Sequence, residues 1–366
     1  MRPLSAIDAI GPAWNHTSRL LLAPRSWRLV LKIGAVAVFA GIGGFGTGSF
    51  NSSHNSLRNM HHMHSLPIDT AALAAVMAAV AALAVLLVFL FFILWAFFFY
   101  LSSRLQFVLF EIVLRRDTTV APIWRRYGAA TWHWIALRLI FVIAALLCLA
   151  SLLVPAVIQF IHMLPHHGAP PPDLVTLIPA FLGIFASVFL VALIFGVMHV
   201  LLHDFGLPSM ALESTPMGVT VLRVWNLLRA EPGQVLLYLI MRFLMGLAGN
   251  IVASIVIVLG ALFAAIPFGC AGLILWLLLR HAGFVGHVLI GVGVVGLGLA
   301  FLVLLILVSI MLFGYLVTFL QAYALYFLGG RYPLVGVHLE PFLPPPYMPP
   351  GYPPYPVPEP PPAPAA

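Results

Sequence analysis

The sequence predicts an all-α integral membrane protein, with six transmembrane helices paired as three hairpin units and amphipathic helices lying on the cytoplasmic face. Three observations lead there. Apolar residues make up 63% of the chain and charged residues 7%, against roughly 45–50% and about 25% in soluble domains. The runs 235–279 and 288–328 together hold 86 residues and one charge, Arg242. No water-soluble core has room for that much uncharged chain, whereas a bilayer does. The basic residues also divide unevenly between alternate loops, which orients the chain.

A spanning helix needs about 20 mainly apolar residues. The candidates in order are 29–48, 71–100, 135–164, 174–202, 235–267 and 288–328. At about 1.5 Å per residue the last would reach roughly 60 Å, so it is expected to tilt, kink or protrude. The piece 269–279 is too short to cross and reads as re-entrant or interfacial. About 28 residues precede the first apolar run, more than the head of a secretory signal, so an uncleaved first helix is expected. With the N-terminus in the cytoplasm, the inner side holds Arg2, Arg19, Arg25, Arg28, Lys32, Arg104, Arg115, Arg116, Arg125, Arg126, Arg138, Arg223, Arg229, Arg242 and Arg331. The outer side keeps Arg58 and Arg280. Fifteen against two predicts six crossings of the cell's inner (plasma) membrane with both termini cytoplasmic. An alternative divides 235–279 into two crossings and places Arg331 outside. The net charge of +7 follows from the same asymmetry and needs no nucleic acid. Three regions result: a cytoplasmic amphipathic segment, 1–28; a six-helix membrane domain, 29–330; and a proline-rich cytoplasmic tail, 331–366, expected to be disordered.

A repeat emerges once the loops are sided. Each odd-numbered span follows an amphipathic stretch bearing a Trp and carries a basic residue one turn into the membrane. The first unit has Trp14, Trp27 and Lys32; the second has Trp124, Trp132, Trp134 and Arg138; the third has Trp225, Tyr238 and Arg242. Ile7, Ile10, Trp14, Thr17 and Leu21 share one helical face, as do Met217, Val221, Trp225 and Leu228, with Arg223, Asn226 and Arg229 opposite. Thr215-Pro216 reads as a cap followed by proline at the first helical position. Pro24 and Pro232 separate surface helix from span. Aromatic rings and snorkelling cations suit the headgroup level. Trp14, Trp27, Lys32, Trp124, Arg125, Arg126, Arg138, Trp225, Arg229 and Arg242 are therefore expected to act as interface anchors.

The opening AIDAIGPAWNHTSRLLLAPRSWRLVLKIG, residues 6–34, resembles that of uncharacterised bacterial multi-pass membrane proteins. So does DFGLPSMALESTPMGVTVLRVWNLLRAEPGQVLLYLIMRF, residues 204–243. The broader arrangement over residues 6–330 is similar to the membrane domain fused to some glycerophosphoryl diester phosphodiesterases. The resemblance implies a fold class and no phosphodiesterase activity. That chemistry resides in a separate soluble barrel of roughly 250 residues, and no segment of this sequence corresponds to one.

Few residues suggest chemistry. The outer loops are rich in histidine, and His61, His62 and His64 are candidates for weak metal binding, since neutral imidazoles suit Zn, Cu or Ni. Cys148 and Cys270 lie in apolar runs and read as buried hydrophobes. The string of Gly291, Gly293 and Gly296 matches a dinucleotide fingerprint, but it opens a membrane span with no acid before Glu340. It reads instead as close helix packing. Ionisable residues within spans, which would mark a transport route, are nearly absent: Glu111 and Asp204 fall just past span ends. Gln159, His199 and Asn250 are candidate cavity polar residues, Asn250 otherwise making an interhelical hydrogen bond. Asp204, Pro208 and Glu213 suggest an elbow that pairs with nearby arginines. No catalytic constellation and no cofactor site is legible.

From 341 to 366 there are 14 prolines in 26 residues, with P-P-x-Y strings ending at Tyr347 and Tyr352. This composition favours an extended segment able to dock a cytoplasmic protein. The first functional expectation is thus a non-enzymatic scaffold or accessory protein, held on anionic lipid by basic surface helices and on a partner by its tail. The alternatives are a transporter or lipid-handling protein for an apolar or zwitterionic substrate, and an intramembrane or metal-dependent enzyme.

Overall fold

The computed structural model describes residues 3–22, 27–42, 70–163 and 174–339. Among these residues all regular structure is helical. In order the helices are α1 (Ile10–Leu21), α2 (Trp27–Ile42), α3 (Thr70–Arg115), α4 (Val120–Arg126), α5 (Gly128–Met163) and α6 (Leu174–Leu201). A π-helical turn, Leu202–Gly206, leads into α7 (Leu207–Glu213), followed by α8 (Met217–Ala230), α9 (Pro232–Leu279), α10 (Gly283–Gly329) and α11 (Pro333–Leu339). Among the described residues five segments are long and apolar enough to cross a membrane: Met77–Arg115, Gly128–Ile158, Phe181–Glu213, Pro232–Leu279 and Gly283–Gly329. The chain is a multi-pass helical membrane protein. Hydropathy predicts six spans, but α2 has only 16 described residues.

The long helices run further than hydropathy suggests. Helix α3 continues to Arg115 rather than stopping near residue 100, because the polar side chains that end the apolar window find partners. Ser102 Oγ and Gln106 Nε2 donate to the Ala40 carbonyl at 3.0 and 3.1 Å, and Arg104 Nη2 donates to the Trp124 carbonyl at 2.8 Å. Helix α9 passes unbroken through Pro267 to Leu279, so 269–279 is not a separate interfacial piece. Breaking the chain among uncharged residues would leave more backbone groups unpaired than one proline does. The fold also outlasts the expected boundary at 331: α11 buries Val335 and Leu339, and Arg331 pairs with Glu231 at 2.7 Å. Residues 340–366, with most of the proline-rich tail, lie outside the described residues.

The core sits at one end, here called the base. Its largest fully buried side chains include Phe107 and Phe110 of α3, Trp134 of α5, Tyr238 of α9, and Tyr323 and Phe327 of α10. Helix α1 lies on α10, and Ala13, with Ala6 and Ala9 of the turn before the helix, is fully buried. The face expected from periodicity is only part of this surface: Thr17 and Leu21 are buried with the alanines. Small residues let the two backbones approach, whereas Ile7 and Trp14 are 56% and 52% exposed. The Trp14 ring still meets Tyr315 and Phe319 edge-on, at 5.5 and 5.8 Å. Helix α8 buries Thr220 and Val224 and exposes Leu222 and Trp225. It is capped by Pro216 rather than Thr215. The left-handed Ser214, φ 53°, ends α7, and Thr215 Oγ1 lies 3.0 Å from Thr220 Oγ1.

His16 locks α1 to the ends of α3 and α10. Its Nε2 lies 2.8 Å from the Val113 carbonyl, which can only accept, so the proton sits on Nε2. Nδ1 is then the acceptor facing Tyr326 OH at 3.3 Å and Arg116 Nη2 at 3.4 Å. Burial, and next the Arg116 charge, lower the imidazole pKa to about 4, the Val113 carbonyl opposing them.

Beyond the base the long helices present apolar side chains outward and gather in two groups. Helix α2 packs on α10 and α3, and α9 pairs with α10; α5 pairs with α6 and meets α3 more sparsely. The first group is drawn tight at two glycines. A Cβ on Gly34 would stand 2.8 Å from the Ile310 carbonyl oxygen, and one on Gly314 would collide with the Gly34 backbone. The glycine string expected to pack helices contributes less: only Gly293 meets a neighbour, Leu275, while Gly291 and Gly296 face open space.

Two predictions follow from this packing. Gly314→Ala should destabilise by about 1–3 kcal/mol, the usual cost of overpacking, and lower the thermal midpoint in detergent by several degrees, whereas Gly291→Ala should leave it unchanged. His16 sets a pH window. The unfolded imidazole takes its proton near 6.5 and the folded one only near 4, so its contribution is complete above about pH 6.5 and is lost as pH falls toward 4. Wild type should therefore lose on the order of 3 kcal/mol over that interval relative to His16→Gln, measured as the difference between their unfolding curves at each pH.

Candidate functional site

The described part of the molecule concentrates its polar chemistry where the two helix groups meet. Asp204 lies in the π turn and is fully buried. Its Oδ2 is 2.6 Å from Arg242 Nη1 and accepts from Tyr238 OH at 2.7 Å, and its Oδ1 is 2.9 Å from His203 Nδ1. Tyr238 stacks on Tyr323 at 5.1 Å and on Phe327 at 4.6 Å. Arg242 also reaches the Leu320 carbonyl at 3.4 Å. One carboxylate thus ties α6 to α9 and, through the aromatic stack, to α10. The expected elbow exists, but Asp204 is not past the end of the helix. A second buried acid, Glu111, holds Arg126 at 2.8 Å, Arg115 at 3.1 Å and Tyr127 OH at 2.6 Å. Burial, then Glu111, raise the Tyr127 phenol above its ordinary range. Glu213 pairs with Arg223 at 2.8 Å and accepts from Tyr332 OH at 2.6 Å.

Directly above the Asp204 cluster, a cavity of about 410 Å³ opens between α3, α5 and α6. Helix α5 supplies Arg138, Phe141, Val142, Ala145, Leu146 and Leu149, spaced three and four residues apart as one helical stripe. Helix α6 supplies a matching stripe from Val188 to His199, and α3 closes the side with Trp95, Phe98 and Phe99. Because α5 and α6 run antiparallel, Arg138 at the start of one stripe and His199 at the end of the other fall at the same, base-side end. From Arg138 to Leu149 the stripe is roughly 16 Å long. The walls are apolar and partly open to the outside: Leu146 is 58% exposed.

Arg138 is only 4% exposed. Its Nη1 donates to Ser103 Oγ at 2.7 Å, and its Cζ lies 4.6 Å from the centre of the Phe99 ring. Below it, Trp134 Nε1 donates to Gln106 Oε1 at 2.7 Å. The His199 and His203 rings are 6.5 Å apart, joining the cleft to the Asp204 cluster. The anchoring at headgroup level expected of Arg138 and Arg242 is thus not their arrangement. Ser103, Phe99 and Asp204 hold them inside the protein, where a compensated guanidinium costs less than one pointing into lipid.

The other expected anchors divide. Trp14, Trp27, Arg125, Trp225 and Arg229 are exposed at the base, with the Arg229 guanidinium 4.9 Å from the Trp225 ring centre. Lys32 Nζ donates to the Thr118 carbonyl at 2.8 Å, Arg126 is taken by Glu111, and the Trp124 ring lies 4.5 Å from the Arg104 guanidinium. Of the two expected cavity residues whose side chains are described, His199 lines the cleft and Asn250 does not. Asn250 Nδ2 donates to the Gly246 carbonyl of its own helix at 2.8 Å rather than across helices. The Gln159 side chain and His61, His62 and His64 lie outside the described residues. Among the described residues no three His, Cys, Asp or Glu side chains are grouped to hold a metal ion. Sequence reading missed the pairing of Arg138 with Phe99 and Ser103. The signal was present as a cation ten residues inside a 36-residue helix.

Removing the acid beneath the cleft should be costly. Asp204→Asn leaves Arg242 buried without its carboxylate and should destabilise by about 3–5 kcal/mol, read from unfolding in detergent. The double variant Asp204→Asn, Arg242→Met should recover most of that loss. A single variant within 1 kcal/mol of wild type, on the scale of an exposed pair, would contradict this role.

The comparisons with known proteins place the chain by family. No curated protein and no solved structure matches it. The likeness to the membrane domain of glycerophosphoryl diester phosphodiesterases finds no support there. One family model matches residues 4–337, from the first turn of the base to the last helix. The chain belongs to that family, described as a family of unknown function, DUF7544.

Proposed function

We propose that this protein handles lipid, taking the chain of an amphiphilic molecule from the bilayer into the cleft between α3, α5 and α6. The observation that carries the reading is the cleft itself: apolar walls, a volume of about 410 Å³, and polar groups at one end only. That volume lies within the usual range for ligand sites, roughly 300–1,000 Å³. It suits one chain rather than two.

The finer topology is part of the same proposal. The protein crosses the inner membrane six times with α2 as the first crossing, in units α2–α3, α5–α6 and α9–α10, both termini cytoplasmic. Support comes from the packing within each of these pairs, and from the short helices α1, α4 and α8 that precede them. The fifteen-to-two split of basic residues gives the sidedness. Exposed Trp14, Trp27, Arg125, Trp225 and Arg229 then sit at the inner headgroup layer and hold the base on anionic lipid. The scaffold reading, in which the proline-rich tail docks a cytoplasmic partner, draws on residues outside the described part. The cleft is what favours lipid handling over it.

Filling the cleft tests the proposal. Ala145 lines it and Ala144, its neighbour in sequence, does not. Native mass spectrometry of protein released from gentle detergent should find lipid retained by wild type and by Ala144→Phe. Occupancy should fall several-fold for Ala145→Phe. Equal occupancy in all three would remove the cleft as a lipid site.

A further inference from the structure

We propose that the cleft selects a lipid of net negative charge, whose headgroup lies against Arg138. The inference rests on the cleft being a lipid site and adds what that site recognises.

The first argument is about where selectivity can arise. A chain in water gains about 0.8 kcal/mol for each CH₂ it buries. A chain already in the bilayer gains almost nothing by entering the cleft, because lipid tails are as apolar as leucine. The apolar walls formed by Phe98, Phe141, Leu149, Val188 and Phe195 therefore admit any chain about equally. Discrimination falls to the polar end, which holds Arg138 and His199.

The second is the sign of the charge there. A guanidinium is cationic throughout the physiological range. Among the described residues lining the cavity there is no carboxylate. The nearby acid, Asp204, lies below in the π turn and is held by Arg242, His203 and Tyr238. The titratable and charged groups facing the polar end are thus Arg138 and His199, with His203, Asp204 and Arg242 behind them. The groups that line the cleft favour an anion over a zwitterion, whose ammonium would meet a like charge.

The third is preorganisation. Arg138 is fixed by the Ser103 hydroxyl and by the face of Phe99, at 2.7 and 4.6 Å. A ligand need not pay to order it, and a planar guanidinium suits phosphate oxygens better than an ammonium does. Access is lateral, past exposed Leu146 and Trp95.

The test uses the full-length protein in nanodiscs containing equal phosphatidylglycerol and phosphatidylcholine, one lipid at a time carrying a photoreactive group at the end of its chain. In wild type, label from phosphatidylglycerol should appear on the α5 and α6 peptides holding Leu149 and Val188, exceeding that from phosphatidylcholine by about tenfold, the worth of one charge-assisted contact. Arg138→Gln should abolish the preference while leaving both lipids able to label the cleft. Arg138→Lys, which keeps charge and loses the fork, should retain a reduced preference and serves if Arg138→Gln does not fold. Equal labelling by the two lipids in wild type would overturn the inference, as would a preference that survives Arg138→Gln. Absence of label from both lipids in the cleft would overturn the lipid site itself.

Discussion

The buried carboxylate of Asp204 is the point on which the rest of the fold depends. Three donors from two helices converge on it, Arg242 and Tyr238 from α9 and its neighbour His203. Tyr238 carries the connection on to α10 by stacking on Tyr323 and Phe327. An acid in an apolar surrounding is tolerable only when its lone pairs and charge are met. Their being met here fixes how α6 and α9 stand relative to each other. The other ion pairs of the base repeat the pattern nearer the surface, Glu111 with Arg126 and Arg115, Glu213 with Arg223, and Glu231 with Arg331. Stability is gathered at one end, and the long helices are left to pack against each other and against lipid.

That division gives the cleft its form. The α2–α3–α9–α10 group is closed by glycines that bring backbone against backbone at Gly34 and Gly314. The α5–α6 pair has no seam of comparable extent with α9. It stands off α3 above the base, and the gap between them is the cavity. A site placed this way is anchored at its polar end by rigid, interlocked helices and open toward the bilayer along its apolar length.

Much of this was legible in the sequence, and what was not has a physical reason. Five of the six expected span positions coincide with helices of spanning length among the described residues, because uninterrupted apolar runs suit a membrane; the first, 29–48, does not. Helix ends did not follow, because a hydropathy window stops at Ser102 or Arg104, whereas the helix runs on to Arg115 and ends where Arg116 turns left-handed, φ 57°. The buried face of α1 was legible only in part: Thr17 and Leu21 are buried as periodicity suggests, but so are Ala6, Ala9 and Ala13, small residues that periodicity passes over, while Ile7 is exposed. Arg138 and His199 were both noted as polar residues within apolar stretches. Their placement at one end of one cleft depends on which helices face each other, and that information is not local. Arg242 read as an anchor for the same reason: its partner, Asp204, lies 38 positions earlier in the chain.

The winding of the π turn at Leu202–Gly206 bears on how the cleft is built. Under ordinary α winding, five residues advance the chain by one full turn and roughly 140° more. Asp204 would then leave the helix on a quite different side from His199. A π turn closes its bonds over five residues instead of four, which brings the azimuth of residue 204 back toward that of residue 199. The His199 and His203 rings then lie 6.5 Å apart and His203 meets Asp204 at 2.9 Å, so cleft floor, imidazole pair and ion pair adjoin. The place of the buried carboxylate below the cleft thus depends on where the π turn sets residue 204 along the backbone.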